Sequence, residues 1–136
     1  MNARILLIQS DLVGRRRLET GLRAQGFAVS SVTLAMEAFE TCRRVNPDAI
    51  VIGPDTPDMS GLSFLAALRR MEDCRDVAAL LSVPSGCANS ALKAFELGAD
   101  DCVAETMDVR ELGARLDAAM RRRKARASLI GAPIRC

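Results

Sequence analysis

The sequence is constrained most by an alternation of short apolar runs with longer segments of helical spacing, repeated five times. The apolar runs span residues 4–8, 28–32, 49–52, 77–83 and 102–104. The segments after them predict helices at about 12–25, 34–45, 62–71 and 88–97, and a last helix from 108 onward. Strands that alternate with helices pair in parallel through right-handed crossovers. We therefore predict an α/β, flavodoxin-like doubly wound (βα)5 fold with a five-stranded parallel sheet.

Several residues at the ends of these segments suit helix termini. Gly26 is expected to end the first helix and Gly98 the fourth, because glycine readily adopts the left-handed backbone that follows a helix. Asp11 and Asp108 precede helices and are expected to cap them. The all-apolar run 49–52 is expected to be the most buried strand, and the weaker run 28–32 to lie nearer an edge.

The length and charge of the chain indicate one domain followed by a basic tail. A chain of 136 residues can bury a sizeable core. Its net charge is +2, yet residues 121–136 carry six basic and no acidic side chains. We predict a domain at 1–121 and a basic tail at 122–136. The tail is either an extension of the last helix or the start of a linker, and Gly131 and Pro133 argue against a long continued helix.

Composition also indicates which kinds of site to expect. The five cysteines form no C-x-x-C pair and the chain has no histidine, so we expect no disulfide framework, metal site or cofactor. No apolar run approaches the roughly 20 residues of a membrane span. The N-terminus lacks signal-peptide organisation, so a cytoplasmic protein without a membrane partner is expected.

Two turn motifs accompany the strand pattern. Pro57-Asp58-Met59-Ser60-Gly61 follows the third strand, and Gly98-Ala99-Asp100-Asp101 precedes the fifth. With these motifs, residues 3–121 resemble the receiver domain of bacterial response regulators. The resemblance implies two-component signalling, in which a histidine kinase phosphorylates an aspartate at the end of the third strand with the help of Mg²⁺.

The positions that carry this chemistry in the family hold other residues here. By resemblance, the phosphoacceptor, the acidic pair, the hydroxyl, the aromatic switch and the lysine correspond respectively to Gly53, Gln9 with Ser10, Val83, Cys102 and Glu105. Mg²⁺ prefers carboxylate ligands, which the altered pair and the glycine lack, and Glu105 would repel a phosphoryl group. We therefore predict a non-enzymatic pseudo-receiver that acts independently of phosphorylation.

Three alternatives remain open at this point. Asp11 or Asp55 could act as a relocated phosphoacceptor, although a helix cap and a turn explain these residues as well. A small ligand or a redox event at Cys87 or Cys102 could replace phosphate as the signal. The basic run 121–126 could bind nucleic acid as part of a transcriptional regulator, although a solvated helix end is the more ordinary explanation.

A module without this chemistry can still act through its surface. By resemblance, the face formed by the fourth helix, the fifth strand and the fifth helix contacts a partner protein or a second copy. The candidate residues on this face have charges of both signs: Lys93, Arg110, Glu111, Arg115 and Asp117. Mixed charge favours specificity more than affinity, and an ordinary solvated surface would look similar.

Overall fold

The computed structural model describes residues 2–53, 56–74, 76–84 and 88–131. The strands in this part are β1 (Arg4–Ile8), β2 (Ala28–Val32), β3 (Ala49–Ile52), β4 (Ala78–Val83) and β5 (Asp101–Ala104). The helices are α1 (Leu12–Ala24), α2 (Ala35–Val45), α3 (Gly61–Leu68), α4 (Ala88–Glu96) and α5 (Val109–Gly131). The strands pair in parallel in the order β2-β1-β3-β4-β5, which confirms the predicted fold class. As predicted, β2 lies at an edge and β3 at the centre.

The sheet separates two hydrophobic cores, because alternate residues of a strand point to opposite faces. On one face Ile5 and Leu7 of β1 pack with residues of α1 and α5. On the other face Leu6 and Ile8 pack with residues of α2, α3 and α4, among them Phe64. Burial on both faces explains why the central strands are continuous apolar runs.

Two of the cysteines lie in the core on the side of the sheet covered by α2, α3 and α4. Cys42 and Cys74 are buried free thiols that contact one another through a hydrogen bond. Burial raises the pKa of the Cys42 thiol, and the hydrogen bond with Cys74, which favours the protonated thiol, adds to this shift. Both residues therefore serve as small apolar packing residues.

Capping side chains set the helix ends, with one difference from the sequence prediction. As predicted, Asp11 caps α1, since its Oδ2 accepts a hydrogen bond from Gly14 N at 2.7 Å. Gly26 follows the helix at a φ of 97°. Asp58 was predicted only to shape its own turn, but its carboxylate accepts from the N–H groups of Ala35 and Met36, both at 2.9 Å. It supplies the cap that Leu34 cannot give to α2.

The prediction that the third helix extends to residue 71 was wrong. α3 ends at Leu68, and the backbone tightens so that Met71 N donates to Leu68 O at 3.1 Å. The reason is the side chain of Arg69, which turns inward to donate to the carbonyl oxygens of Val77 and Gly98 at 2.6 and 2.8 Å. A long-range contact therefore ends a helix whose apolar spacing continues further.

Of the two forms predicted for the tail, the structure shows the helix extension, because α5 continues to Gly131 despite the residues expected to interrupt it. Arg123 ties this extension to the body, where its Nε donates to Asp100 Oδ1 at 2.7 Å. Asp100 also accepts from Ala79 N at 2.8 Å and from Arg69 at 3.0 Å. A residue predicted only to fix the turn into β5 thus joins α3, β4 and α5. The predicted domain limit at residue 121 stays a prediction.

Candidate functional site at the carboxyl edge of the sheet

The parallel strands bring the predicted pocket residues to one edge of the sheet. Ile8 of β1 pairs with Ile52 of β3, so the residues that follow, Gln9 and Gly53, are neighbours. Gly53 N donates to the carbonyl oxygen of Ile8 at 2.8 Å. Val83 ends β4 and pairs with Ala104, the residue before Glu105. In α/β proteins this edge is where ligands and substrates bind.

At the centre of the edge, the side chain of Gln9 occupies the space beside Gly53. A Cβ at position 53 would overlap the amide oxygen of Gln9 and lie 2.5 Å from the Ile8 carbonyl oxygen. A Cβ at Gly14 of α1 would lie 2.8 Å from the amide nitrogen of Gln9. Two glycines therefore make room for one glutamine, and a side chain at residue 53 has no space without rearrangement.

The remaining predicted pocket residues are an apolar side chain, a partly buried thiol and an exposed carboxylate. Val83 is half-buried and packs against the α2–α4 core. Cys102 donates its thiol to the carbonyl oxygen of Ala91 at 3.7 Å, and burial followed by the charge of Asp101 raises its pKa. Glu105 is exposed, and its backbone N–H donates to Val83 O at 3.3 Å.

Of the two acidic residues considered as alternatives, Asp11 lies in the described part of the chain. The carboxylate of Asp11 is engaged by the N–H of Gly14. Asp55 and Cys87 lie outside the described residues. Within 2–53, 56–74, 76–84 and 88–131, no three His, Cys, Asp or Glu side chains are placed to share a metal ion.

The sequence reasoning missed a cavity beside this edge. It has a volume of about 540 Å³ and lies between α1, the strand ends and the β5–α5 connection. Arg17 of α1 lines it and donates to the carbonyl oxygens of Glu105 and Met107 at 3.3 and 3.4 Å. No sequence signal specifies such a volume, because it depends on how α1 and α5 pack together.

The predicted interaction face lies on α4, β5 and α5, and several of its charges are paired within the chain. Arg115 donates to Asp101 of β5 at 3.0 Å and to Glu111 at 3.1 Å, and these contacts raise its pKa. Arg110 pairs with Asp108, the residue that caps α5, at 3.1 Å. This pair raises the pKa of Arg110 and lowers that of Asp108.

The same face also contains exposed apolar side chains that the sequence reasoning did not identify. Leu92 and Phe95 of α4 are 64% and 48% exposed and stand on either side of Lys93 in the sequence. The sequence does contain a signal for these exposed residues, because alanine recurs every three residues at positions 88, 91 and 94. Small side chains suit the inner face of a closely packed helix, so the larger residues between them are expected on its outer face. Ala94 is buried, so the two large residues point outward.

Comparison with known proteins agrees with this fold. Residues 5–117 match the response regulator receiver domain, and the chain belongs to this family of two-component signalling modules. The transcriptional regulatory protein PrrA of Mycobacterium leprae is 34% identical over 125 residues, which cover 92% of this chain and 53% of that protein. The chain thus spans about half the length of the curated relatives it matches.

Solved structures have the same architecture. A putative response regulator from Chloroflexus aurantiacus superposes with a TM-score of 0.85 at 22% identity, covering 89% of this chain and 99% of that one. HP1043, an orphan response regulator of H. pylori, gives a TM-score of 0.75 at 26% identity, covering 88% and 97%. In the described part of the chain, no helix has both the length and the apolar character needed to cross a bilayer.

Proposed function

We propose that this chain is a phosphorylation-independent receiver module that acts by pairing with a second copy of itself through α4, β5 and α5. The observation that carries the first half is the side chain of Gln9 in the space beside Gly53. A phosphoacceptor side chain at residue 53 would compete for that space. The similarity to PrrA makes the receiver part of a transcriptional regulator the setting we favour.

The electrostatics of the edge support the absence of phosphoryl transfer. Phosphoryl transfer needs positive charge around the oxygens of the phosphoryl group, usually from Mg²⁺ and a lysine. Gln9 and Ser10 offer neutral oxygens, which hold Mg²⁺ poorly without a carboxylate. Glu105 brings a negative charge to the end of β5, the opposite of what the reaction requires.

The make-up of the face supports pairing between two identical chains. A two-fold interface places one patch against itself, so the patch must be self-complementary. Leu92 and Phe95 offer an apolar centre that each copy can bury on the other. Lys93, Glu111 and Arg115 place both signs of charge around it, so that unlike charges can meet across the axis.

Analytical ultracentrifugation, which measures the oligomeric state, and intact-mass spectrometry, which detects phosphorylation, together test this function. We expect the protein to form a dimer, and acetyl phosphate with Mg²⁺ to change neither its mass nor its association. Leu92→Glu and Phe95→Glu place charge in the apolar centre and should shift the protein to monomer. The matched control is Val13→Glu, which adds the same charge at a 76% exposed position on α1 and should leave the dimer intact.

Two outcomes would contradict the proposal. A phosphoryl adduct would show that transfer still occurs, and peptide mapping would assign it to Asp55, Asp11 or another residue. A monomer at all accessible concentrations would remove pairing as the function. A receiver that retains the aspartate serves as the positive control for labelling.

A further inference from the structure

The helical extension of α5 carries a dense run of positive charge. Residues 121–126 include five basic side chains, and residues 118–131 contain no acidic one. Arg123 holds the extension to the body through its ion pair with Asp100. The other four basic side chains are exposed: Arg121, Arg122, Lys124 and Arg126. The extension therefore presents four positive charges to solvent on a helix whose position is fixed.

No carboxylate in the described part of the chain forms an ion pair with any of these four side chains. Arg122 donates to the carbonyl oxygen of Asp100 at 3.4 Å, longer than the roughly 2.7–2.9 Å of a charge-assisted bond. Asp117, one turn before Arg121, is the acidic residue nearest to them along α5. Residues 1–120 contain more acidic than basic side chains, so attraction to an anion is concentrated on the extension.

The four charges lie on two flanks of the helix. At about 100° per residue they form two pairs on nearly opposite sides, Arg121 with Lys124 and Arg122 with Arg126. Arg123 points to the body, and the exposed Ala125 lies between the two flanks on the side away from it. A helix with two positive flanks and a small residue between them fits a groove that has negative charge on both walls.

We propose that the α5 extension binds double-stranded DNA by lying in the major groove, with one flank against the phosphates of each strand. This groove is about 12 Å wide and admits an α-helix, whose diameter is about 10–12 Å. The four charges span about 7.5 Å of helix, or one per about 2 Å, close to the one phosphate per about 1.7 Å of duplex. Three of the four are arginines, which bind phosphate oxygens through two parallel hydrogen bonds.

Other polyanions fit this arrangement less well. A membrane surface is flat and would meet only one flank, and residues 121–127 contain no large apolar side chain to insert into it. The major groove of double-stranded RNA is deep and narrow, so a helix cannot enter it in the same way. The inference does not rest on the proposed pairing through α4, β5 and α5, because each extension carries both flanks.

Fluorescence anisotropy with a labelled DNA duplex of about two helical turns and arbitrary sequence tests the site. Four phosphate contacts predict that the affinity falls on the order of 100-fold between about 50 and 200 mM KCl, whatever the sequence. Arg121→Gln should weaken binding and reduce the slope of log affinity against log salt concentration by about 1 per bound chain. Arg16→Gln, the matched control, removes the same charge from an exposed position near the start of α1 and should leave the slope unchanged.

Three results would overturn the inference. The first is the absence of binding at about 50 mM KCl, where phosphate contacts are strong. The second is an equal salt slope in the Arg121 and Arg16 variants, which would place the DNA contact elsewhere. The third is equal or tighter binding to poly-L-glutamate, to double-stranded RNA or to vesicles of phosphatidylserine and phosphatidylcholine, since the groove of DNA would then not be what the extension recognises. Both substituted positions are exposed, so the variants are expected to fold, and circular dichroism checks this.

Discussion

At the scale of single residues, the pocket depends on the fit between Gln9 and two glycines. The amide of Gln9 lies against Gly53 on one side and Gly14 on the other. Substitution of any of these residues alone therefore changes the space available to the other two. Gln9, Gly14 and Gly53 therefore form one structural unit.

A double-mutant cycle tests this unit. We expect Gly53→Ala to lower the free energy of unfolding by about 1–3 kcal/mol, because its methyl group overlaps Gln9 and approaches the Ile8 carbonyl oxygen. In a Gln9→Ala background the cost should fall by about 1 kcal/mol, since only the backbone contact remains. Urea unfolding followed by circular dichroism measures both values.

The matched control for this cycle is Gly61→Ala. A Cβ at Gly61 would lie 2.7 Å from Leu81 and makes no contact with Gln9. Its cost should therefore be equal in the two backgrounds. If the Gly53 cost were also equal in both, Gln9 would not restrict that position.

At the scale of secondary structure, the start of α2 depends on a residue from another segment. Asp58 lies between β3 and α3, yet its carboxylate binds the first N–H groups of α2. These bonds, from Met36 first and then Ala35, lower the pKa of Asp58. A lowered pKa in the folded state means that the ionised carboxylate stabilises the fold.

This cap predicts a specific pH dependence. The contribution of Asp58 is present above the pKa of about 3.9 that an aspartate has in an unfolded chain, and it is lost as the pH falls through the lower folded value. Asp58→Asn should lower Tm at neutral pH and reduce the loss of Tm on acidification. Thermal unfolding at about pH 7 and about pH 3 measures this.

Glu72→Gln is the control for the acid titration. Glu72 is exposed, and the structure gives it no hydrogen bond within the described ranges. The same pH-dependent loss of Tm is expected in this variant and in the unchanged protein. An Asp58→Asn profile parallel to that of the unchanged protein would exclude the cap as a source of stability.

The order of the elements, the parallel sheet and the positions of its most buried strand and of β2 at an edge could be predicted, because apolar spacing within a segment reports directly which side chains are buried. Contacts between segments could not. α3 ends early because Arg69 reaches Val77 and Gly98, and α5 continues because Arg123 reaches Asp100. At the site, the residue types that fill the pocket could be listed from the sequence. Their fit against two glycines and the adjacent cavity depend on packing, which spacing does not encode.

At the scale of the whole molecule, one carboxylate connects the body to the helical extension. Asp100 is 11% exposed and binds both Arg69 and Arg123. Removing a partner from a buried ion pair leaves a charge without compensation, which costs about 3–5 kcal/mol. The three residues therefore control the stability of the body and the order of the extension together.

Separate variants distinguish the effect on the stability of the body from the effect on the order of the helical extension. Asp100→Ala should lower the free energy of unfolding by about 3–5 kcal/mol, because Arg69 stays buried without its carboxylate. Arg123→Ala should cost less but should speed hydrogen exchange in residues 121–131. Arg121→Ala, at an exposed position on the same helix, should change neither value. Equal exchange in the Arg121 and Arg123 variants would show that Asp100 does not hold the extension.

The anchored extension has a consequence for two chains that pair as proposed. Beyond the body, α5 rises about 1.5 Å per residue, and its direction is fixed by the grip of Asp100 on Arg123. In a two-fold dimer, the two α5 extensions would project from the paired bodies at a fixed angle and a fixed distance from one another. Each extension would carry a row of positively charged side chains. The distance between their tips would then be determined by the paired bodies and not by a flexible tether.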